Sequence, residues 1–223
     1  MNRIKTLILD FDGTLGNTTE VIVRTMHAAI HELGLSARTD AECAATIGLK
    51  LIEIPPVLFP GLEVDPNLFA ATYRRFFHTF NSDGAVKLYP GVKDTLMDLH
   101  RHGFILTIAS SRSHITLDEY IRKLGLSEII SHVVGGEDVK EGKPNPEAVN
   151  IILNKLGISA DEALVVGDTS FDIDMGRNAG TMTCGVTYGN GTRESMAQAD
   201  WLIDEFCGLT KLIPYFDTAN FRL

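Results

Sequence analysis

Apolar residues recur along this chain in two rhythms. Residues 4–10 are apolar with few interruptions, as in a strand buried on both faces of a parallel sheet. From about residue 18 to 82 the spacing is helical. Ile22, Met26, Ala29, Ile30 and Leu33 share one face, and Gly34 supplies a stop. Asp65-Pro66 reads as a helix start, with the acid as cap and the proline in the first turn. The Phe69, Tyr73, Phe76, Phe77 and Phe80 that follow form an aromatic stripe expected to pack as core. From residue 90 helices and strands alternate. A helix from Val92 to about His102 precedes the strand FILTIAS, and another helix starts near Ser113. SHVVGG is a short strand, PEAVNIILNKLG a helix, ALVVGD a strand followed by a helix to Gly180, and MTCGV and DWLID the last strands, with helical material to the end. This alternation predicts βαβ units, a parallel sheet and right-handed crossovers, with the all-helical stretch inserted after the first strand.

Composition narrows the possibilities. A chain of 223 residues suits one core with a smaller appended lobe. The 44% hydrophobic and 22% charged fractions are those of a globular protein, and the net charge of −9 argues against a nucleic-acid partner. Cys43, Cys184 and Cys207 form no CxxC pair, so neither a disulfide framework nor a zinc ribbon is expected. The first strand begins so early that no signal peptide is expected, and no apolar run approaches the roughly 20 residues that span a bilayer. A cytoplasmic protein without a membrane partner, monomer or homodimer, is the expectation.

Four polar segments share one address. Asp10 and Asp12 end the first strand, Ser110 and Ser111 end FILTIAS, Asp168 ends ALVVGD, and Lys143 lies in the loop KEGKPNPE. Ligands of open α/β sheets bind outside the carboxyl ends of the strands, so these groups are expected to converge. Residues i and i+2 of an extended chain point the same way, which turns both Asp10 and Asp12 toward the site. Clustered carboxylates repel unless a cation neutralises them, and oxygen ligands without Cys or His select Mg2+. A lysine and hydroxyls beside them suit an anion. Acids, Mg2+ and an anion cradle together describe phosphoryl transfer, with one carboxylate as nucleophile and its neighbour as acid/base.

Taken in order, these motifs resemble the haloacid dehalogenase (HAD) superfamily, in its phosphatase branch with a helical cap. DFDGTL is similar to the family's DxDGT signature, IASS to its serine/threonine motif, Lys143 to its third motif and GDTSFD to its GDxxxD motif. YPGVKDTLMDLHRHG and YGNGTRE resemble the phosphoglycolate phosphatase subgroup. The resemblance implies an α/β fold: a Rossmann-like parallel sheet core over residues 1–15 and 87–223, with an α-helical cap domain over residues 16–86. It implies that Asp10 attacks phosphorus to form an aspartyl-phosphate and that Asp12 protonates the leaving oxygen and then activates water. Ser110, Ser111 and Lys143 would bind the substrate. Asp10, Asp12 through its backbone carbonyl and Asp168 would hold Mg2+, with Asp172 in or just behind that metal shell. Lys50, in TIGLK, sits where related caps carry a substrate-reading loop, and a cation there suits a small phosphomonoester with a second negative group, such as phosphoglycolate. One departure is Gly16-Asn17-Thr18, where many capped relatives carry an acid and a serine.

Three other functions compete. A β-phosphoglucomutase-like phosphomutase shares the motifs and the cap. A receiver-like signalling domain combines acids, a hydroxyl and a lysine, but at about half this length. An inactive binding module would tolerate loss of Asp12 or Asp168, and both are present.

Overall fold

The structure is a computed structural model that describes residues 4–81 and 86–212. Its strands are β1 (Thr6–Leu9), β2 (Gly16–Asn17), β3 (Lys87–Leu88), β4 (Ile105–Ala109), β5 (Ile130–Val134), β6 (Ala163–Gly167), β7 (Met182–Val186) and β8 (Trp201–Ile203). Its helices are α1 (Thr19–Glu32), α2 (Asp40–Ala44), α3 (Ile54–Leu58), α4 (Pro66–Phe80), α5 (Val92–Arg101), α6 (His114–Lys123), α7 (Glu147–Leu156), α8 (Ser170–Ala179) and α9 (Leu209–Leu212).

Six strands form one parallel sheet in the order β5-β4-β1-β6-β7-β8. β1 lies at the centre, with Leu9 opposite Ile108 on one side and Val166 on the other. The sheet grows outward from β1 to β4 and β5, and in the other direction through β6, β7 and β8. The strand order therefore reverses beside β1, and a crevice opens there at the carboxyl ends. The inner strands bury both faces, whereas the edge strands β5 and β8 are only partly covered. Leu7 and Leu9 pack with Val92, Leu96, Leu117 and Ile121 of α5 and α6, whereas Ile8 packs with Val149, Ile152 and Met175 of α7 and α8. Helices on both sides of a parallel sheet make this a Rossmann-like α/β fold.

Helices α1 to α4 all fall between β2 and β3, which pair antiparallel and bring the two ends of that segment together. Strands of two residues carry no periodicity, and the sequence gives no sign of them. α4 begins as expected, with Asp65 accepting the backbone N–H groups of Asn67 and Leu68. The aromatic stripe divides. Phe69, Tyr73 and Phe77, four residues apart, join α1 side chains in the core. Phe76 and Phe80 do not: they are half-buried, stack on each other at 6.0 Å, and are covered by Arg75 and Arg24 at 4.6 and 4.2 Å. They lie one position off the buried line, so guanidinium groups rather than core cover them. The expected helix ends at residue 82 and beyond Leu212 fall outside the described residues. No described helix is long and apolar enough to cross a membrane.

Candidate active site

Three adjacent strands each deliver a polar residue immediately past their last ladder position. Asp10 follows β1, its N–H bonded to Val166 O at 2.9 Å. Ser110 follows β4, its N–H bonded to Val134 O at 3.0 Å. Asp168 follows β6. Asp10, Ser110 and Asp168 are all buried, as are Lys143 and Asp172.

Lys143 is the hub of the cluster. Its Nζ donates to Asp10 Oδ1 at 2.5 Å and to Asp172 Oδ1 at 2.6 Å. Burial works against the charge on Lys143, but the carboxylates of Asp10 and Asp172 outweigh it and hold the ammonium above an ordinary lysine's value. Asp172 also closes a capping box at the start of α8, its Oδ2 accepting the backbone N–H and the hydroxyl of Thr169 at 3.0 and 2.7 Å. Helix capping therefore fixes which oxygen Asp172 turns toward the lysine.

Asp168 is held from another direction. Thr14 Oγ1 donates to its Oδ1 at 3.0 Å, and the N–H and Nδ2 of Asn190 donate to its Oδ2 at 2.7 and 2.9 Å. The turn that carries Asn190 lies directly on Asp168, where a Cβ at Gly189 would come within 2.3 Å of the Asp168 Cβ. Only glycine allows that approach. Ligand oxygens of Asp10, Asp168 and Asp172 all lie within 4.8 Å of one another. The electrostatic consequence is plain. Burial raises the Asp10 carboxyl well above its ordinary value, against the lowering pull of Lys143, and the neighbouring Asp172, Asp168 and Asp12 raise it further. Burial, followed by the charge of Asp172, pushes Asp168 up to about 7 against its hydrogen bonds to Asn190 and Thr14. Four acids face two cations, Lys143 and Arg112, which leaves two formal negative charges. A divalent cation would neutralise that excess, and all-oxygen donors at this spacing would suit Mg2+.

Asp12 faces the same cavity as Asp10, as the i, i+2 spacing predicts. Its carboxylate is taken by Arg112, whose Nη2 and Nε donate at 2.6 and 2.9 Å. Ser110 Oγ accepts the Arg112 N–H at 3.3 Å. Ser111 also lines the cavity, but its hydroxyl donates to Gly48 O at 2.5 Å. Lys50 lines the cavity, but its Nζ donates to the carbonyls of Val139 and Lys140 at 2.9 and 3.2 Å. The structure thus brings Asp10, Asp12, Ser110, Lys143, Asp168 and Asp172 together, and shows Ser111 and Lys50 joining the helical segment to the sheet's loops. The cavity that Asp10 lines has a volume of about 640 Å3, and Ile22, Met26, Ile47 and Tyr73 of the helical segment also line it. Sequence inspection misses Arg112, Asn190 and Thr14. Asn190 lay within a motif already singled out, YGNGTRE, yet no local feature tied it to Asp168.

The family model described as haloacid dehalogenase-like hydrolase matches residues 7–186. A curated phosphoglycolate phosphatase of Vibrio cholerae is 31% identical over 222 residues, covering 96% of this chain and 98% of that one. A pyrophosphatase PpaX of Halalkalibacterium halodurans is 36% identical over 192 residues, covering 83% and 85%. The solved structure of a predicted phosphoglycolate phosphatase from Haemophilus somnus superposes with a TM-score of 0.83 at 26% identity, covering 96% of this chain and 99% of that one.

Proposed function

The chain belongs to the haloacid dehalogenase-like hydrolase family and is a phosphoric monoester hydrolase, and on that premise we propose that it cleaves a small phosphomonoester with Mg2+ through an aspartyl-phosphate. The observation that carries this reading is the buried Lys143 between Asp10 and Asp172, beside Asp168. Asp10, Asp168, Asp172 and the backbone carbonyl of Asp12 would hold the ion. When bound, it offsets the charge of the carboxylates and of the incoming phosphoryl group.

An oxygen of Asp10 attacks phosphorus while the bond from phosphorus to the leaving oxygen breaks. Asp12, which enters this step protonated and therefore released from one of its Arg112 bonds, gives its proton to that oxygen. Asp12 then takes a proton from water, whose oxygen attacks the aspartyl-phosphate phosphorus, releasing phosphate and restoring Asp10. Lys143 and Ser110 hold the phosphoryl oxygens. Residues 16–86 act as a lid domain over the core of residues 1–15 and 87–223, with Ser111 and Lys50 among the contacts that seat it. The three cysteines are unpaired, which suits a cytoplasmic enzyme.

Phosphate release tests the proposal, measured on phosphoglycolate, pyrophosphate, β-glucose 1-phosphate and aryl phosphates. Each is run with Mg2+, with chelator, and with Asp10→Asn. Release that needs Mg2+ and disappears in Asp10→Asn is expected, and the highest kcat/KM names the substrate class. Pyrophosphate belongs in the panel because relatives carry that activity in their names. Glucose 6-phosphate formed from β-glucose 1-phosphate with little free phosphate would make the chain a mutase. A folded, Mg2+-binding chain that turns over none of these compounds would refute the hydrolase mechanism.

A further inference from the structure

The residue after the serine pair has no part in the mechanism above, yet it determines how the proposed acid/base group is held. The Arg112 side chain is 8% exposed. Its Nη2 donates to Asp12 Oδ1 at 2.6 Å, and its Nε to Oδ2 and Oδ1 at 2.9 and 3.2 Å. A planar fork that meets both carboxylate oxygens fixes the rotation of the acid as well as its position. The fork is itself clamped. Phe77 of α4 and Tyr120 of α6 place their ring centroids 4.8 and 5.2 Å from the guanidinium carbon. Tyr120 stacks on Phe11 at 5.3 Å and donates its hydroxyl to Asn81 Oδ1 at 2.6 Å. One clamp thus comes from the helical insertion and the other from the sheet's own layer.

We propose that Arg112 is a positioning residue that aims the Asp12 carboxylate, and that its contact with Phe77 makes this aim depend on the seating of the insertion. The inference rests on the assignment of Asp12 as acid/base. An aspartate without this fork rotates among other hydrogen-bond partners, and small misplacements of a catalytic group cost rate rather than affinity.

A double-mutant cycle tests it. Arg112→Gln, Arg112→Lys, Asp12→Asn and the Arg112→Gln/Asp12→Asn pair are assayed with phenyl phosphate and p-nitrophenyl phosphate, with folding checked by circular dichroism. Arg112→Gln should lower kcat by about 10- to 100-fold while KM stays within about twofold. The loss should be deeper on phenyl phosphate, whose poorer leaving group needs the proton more. Arg112→Lys should recover part of it. In the Asp12→Asn background the same substitution should cost less than about twofold more, because the residue it acts through is already gone.

Multiplicative losses in the pair, equal losses on both esters, or a raised KM with unchanged kcat would overturn the assignment. The last outcome would make Arg112 a reader of the substrate's own charge. Should Arg112→Gln not fold, Phe77→Leu keeps the ion pair and removes one clamp. A smaller kcat loss with the same leaving-group sense then supports the coupling, and an unchanged kcat refutes it. A wild-type chain that turns over nothing in the panel above overturns the phosphatase assignment along with this one, whereas wild-type turnover with multiplicative losses removes only this one.

Discussion

Metal-free protein should lose stability as pH rises, and Asp168 should account for much of the loss. Burial and Asp172 move this carboxyl from an ordinary 3.8 up to about 7. A folded-state value above the unfolded one means that the native chain binds the extra proton between those two values. Stability tied to Asp168 is therefore present at low pH and is lost as pH climbs through the window up to about 7. At about pH 5 the folded carboxyl lies about two units below its own value. At 1.36 kcal/mol per unit, its contribution falls by about 2.7 kcal/mol between about pH 5 and about pH 8. Asp10 shifts in the same direction and adds to the trend.

Asp168→Asn isolates the effect. The amide accepts from Asn190 with its carbonyl and donates to the Thr14 hydroxyl, so no buried group loses its partner. Urea unfolding of both chains in chelator should show wild type losing about 2 to 3 kcal/mol relative to the variant over that pH range. Added Mg2+ should cancel the loss in wild type, since it binds the ionised cluster more tightly as pH rises, and should do little for Asp168→Asn. A difference between the two chains that does not change with pH, or that favours wild type as pH rises, would refute this account of the cluster.

Three further outcomes follow from the same geometry. Lys143→Met leaves Asp10 and Asp172 buried without their cation and should cost about 3 to 5 kcal/mol in chelator, with Mg2+ restoring part of it, as read by urea unfolding. Gly13→Ala meets two obstacles, a φ of 89° and a Cβ that would fall 2.1 Å from Asp168 Oδ2. It should lower Tm and weaken Mg2+ binding by calorimetry by about tenfold or more, the backbone strain alone costing about 1 to 2 kcal/mol. Ser111→Ala removes the bond to Gly48 O that helps seat the insertion, and should raise KM by up to about tenfold with kcat little changed. A lowered kcat at unchanged KM would instead tie Ser111 to the chemistry.

What could be read ahead of the structure was what the chain encodes locally. An apolar run that ends in an acid marks a strand and its carboxyl end together, so Asp10, Ser110 and Asp168 could be sent to one edge of the sheet before any coordinate was known. Asp172 came only from the resemblance of GDTSFD to the GDxxxD motif, and the structure shows it at the helix start it caps. The remainder was set by pairs far apart in the chain. Arg112 and Asp12 are 100 residues apart, and one arginine after two serines reads like any loop residue. Thr14 and Asp168 are 154 apart. Lys50 shows the limit from the other side. The resemblance of its segment to substrate-reading cap loops suggested a substrate contact, and only the folded chain reveals two carbonyls, 89 and 90 residues on, that take up its ammonium. Of the cations lining the cavity, Lys50 and Arg112 thus already hold protein oxygens, and a second anionic group on a substrate would have to displace one of those contacts to gain either charge. A bidentate, desolvated bond to Asp12 costs more to break than a lysine's bonds to two carbonyls. Of these two side chains, Lys50 is therefore the one more readily released for a substrate's second charge, with Arg74 on the same cavity wall. The kinetic signature would be a KM that rises in Lys50→Met for phosphoglycolate but not for phenyl phosphate. Equal effects on the two esters would leave Lys50 only its part in seating the insertion.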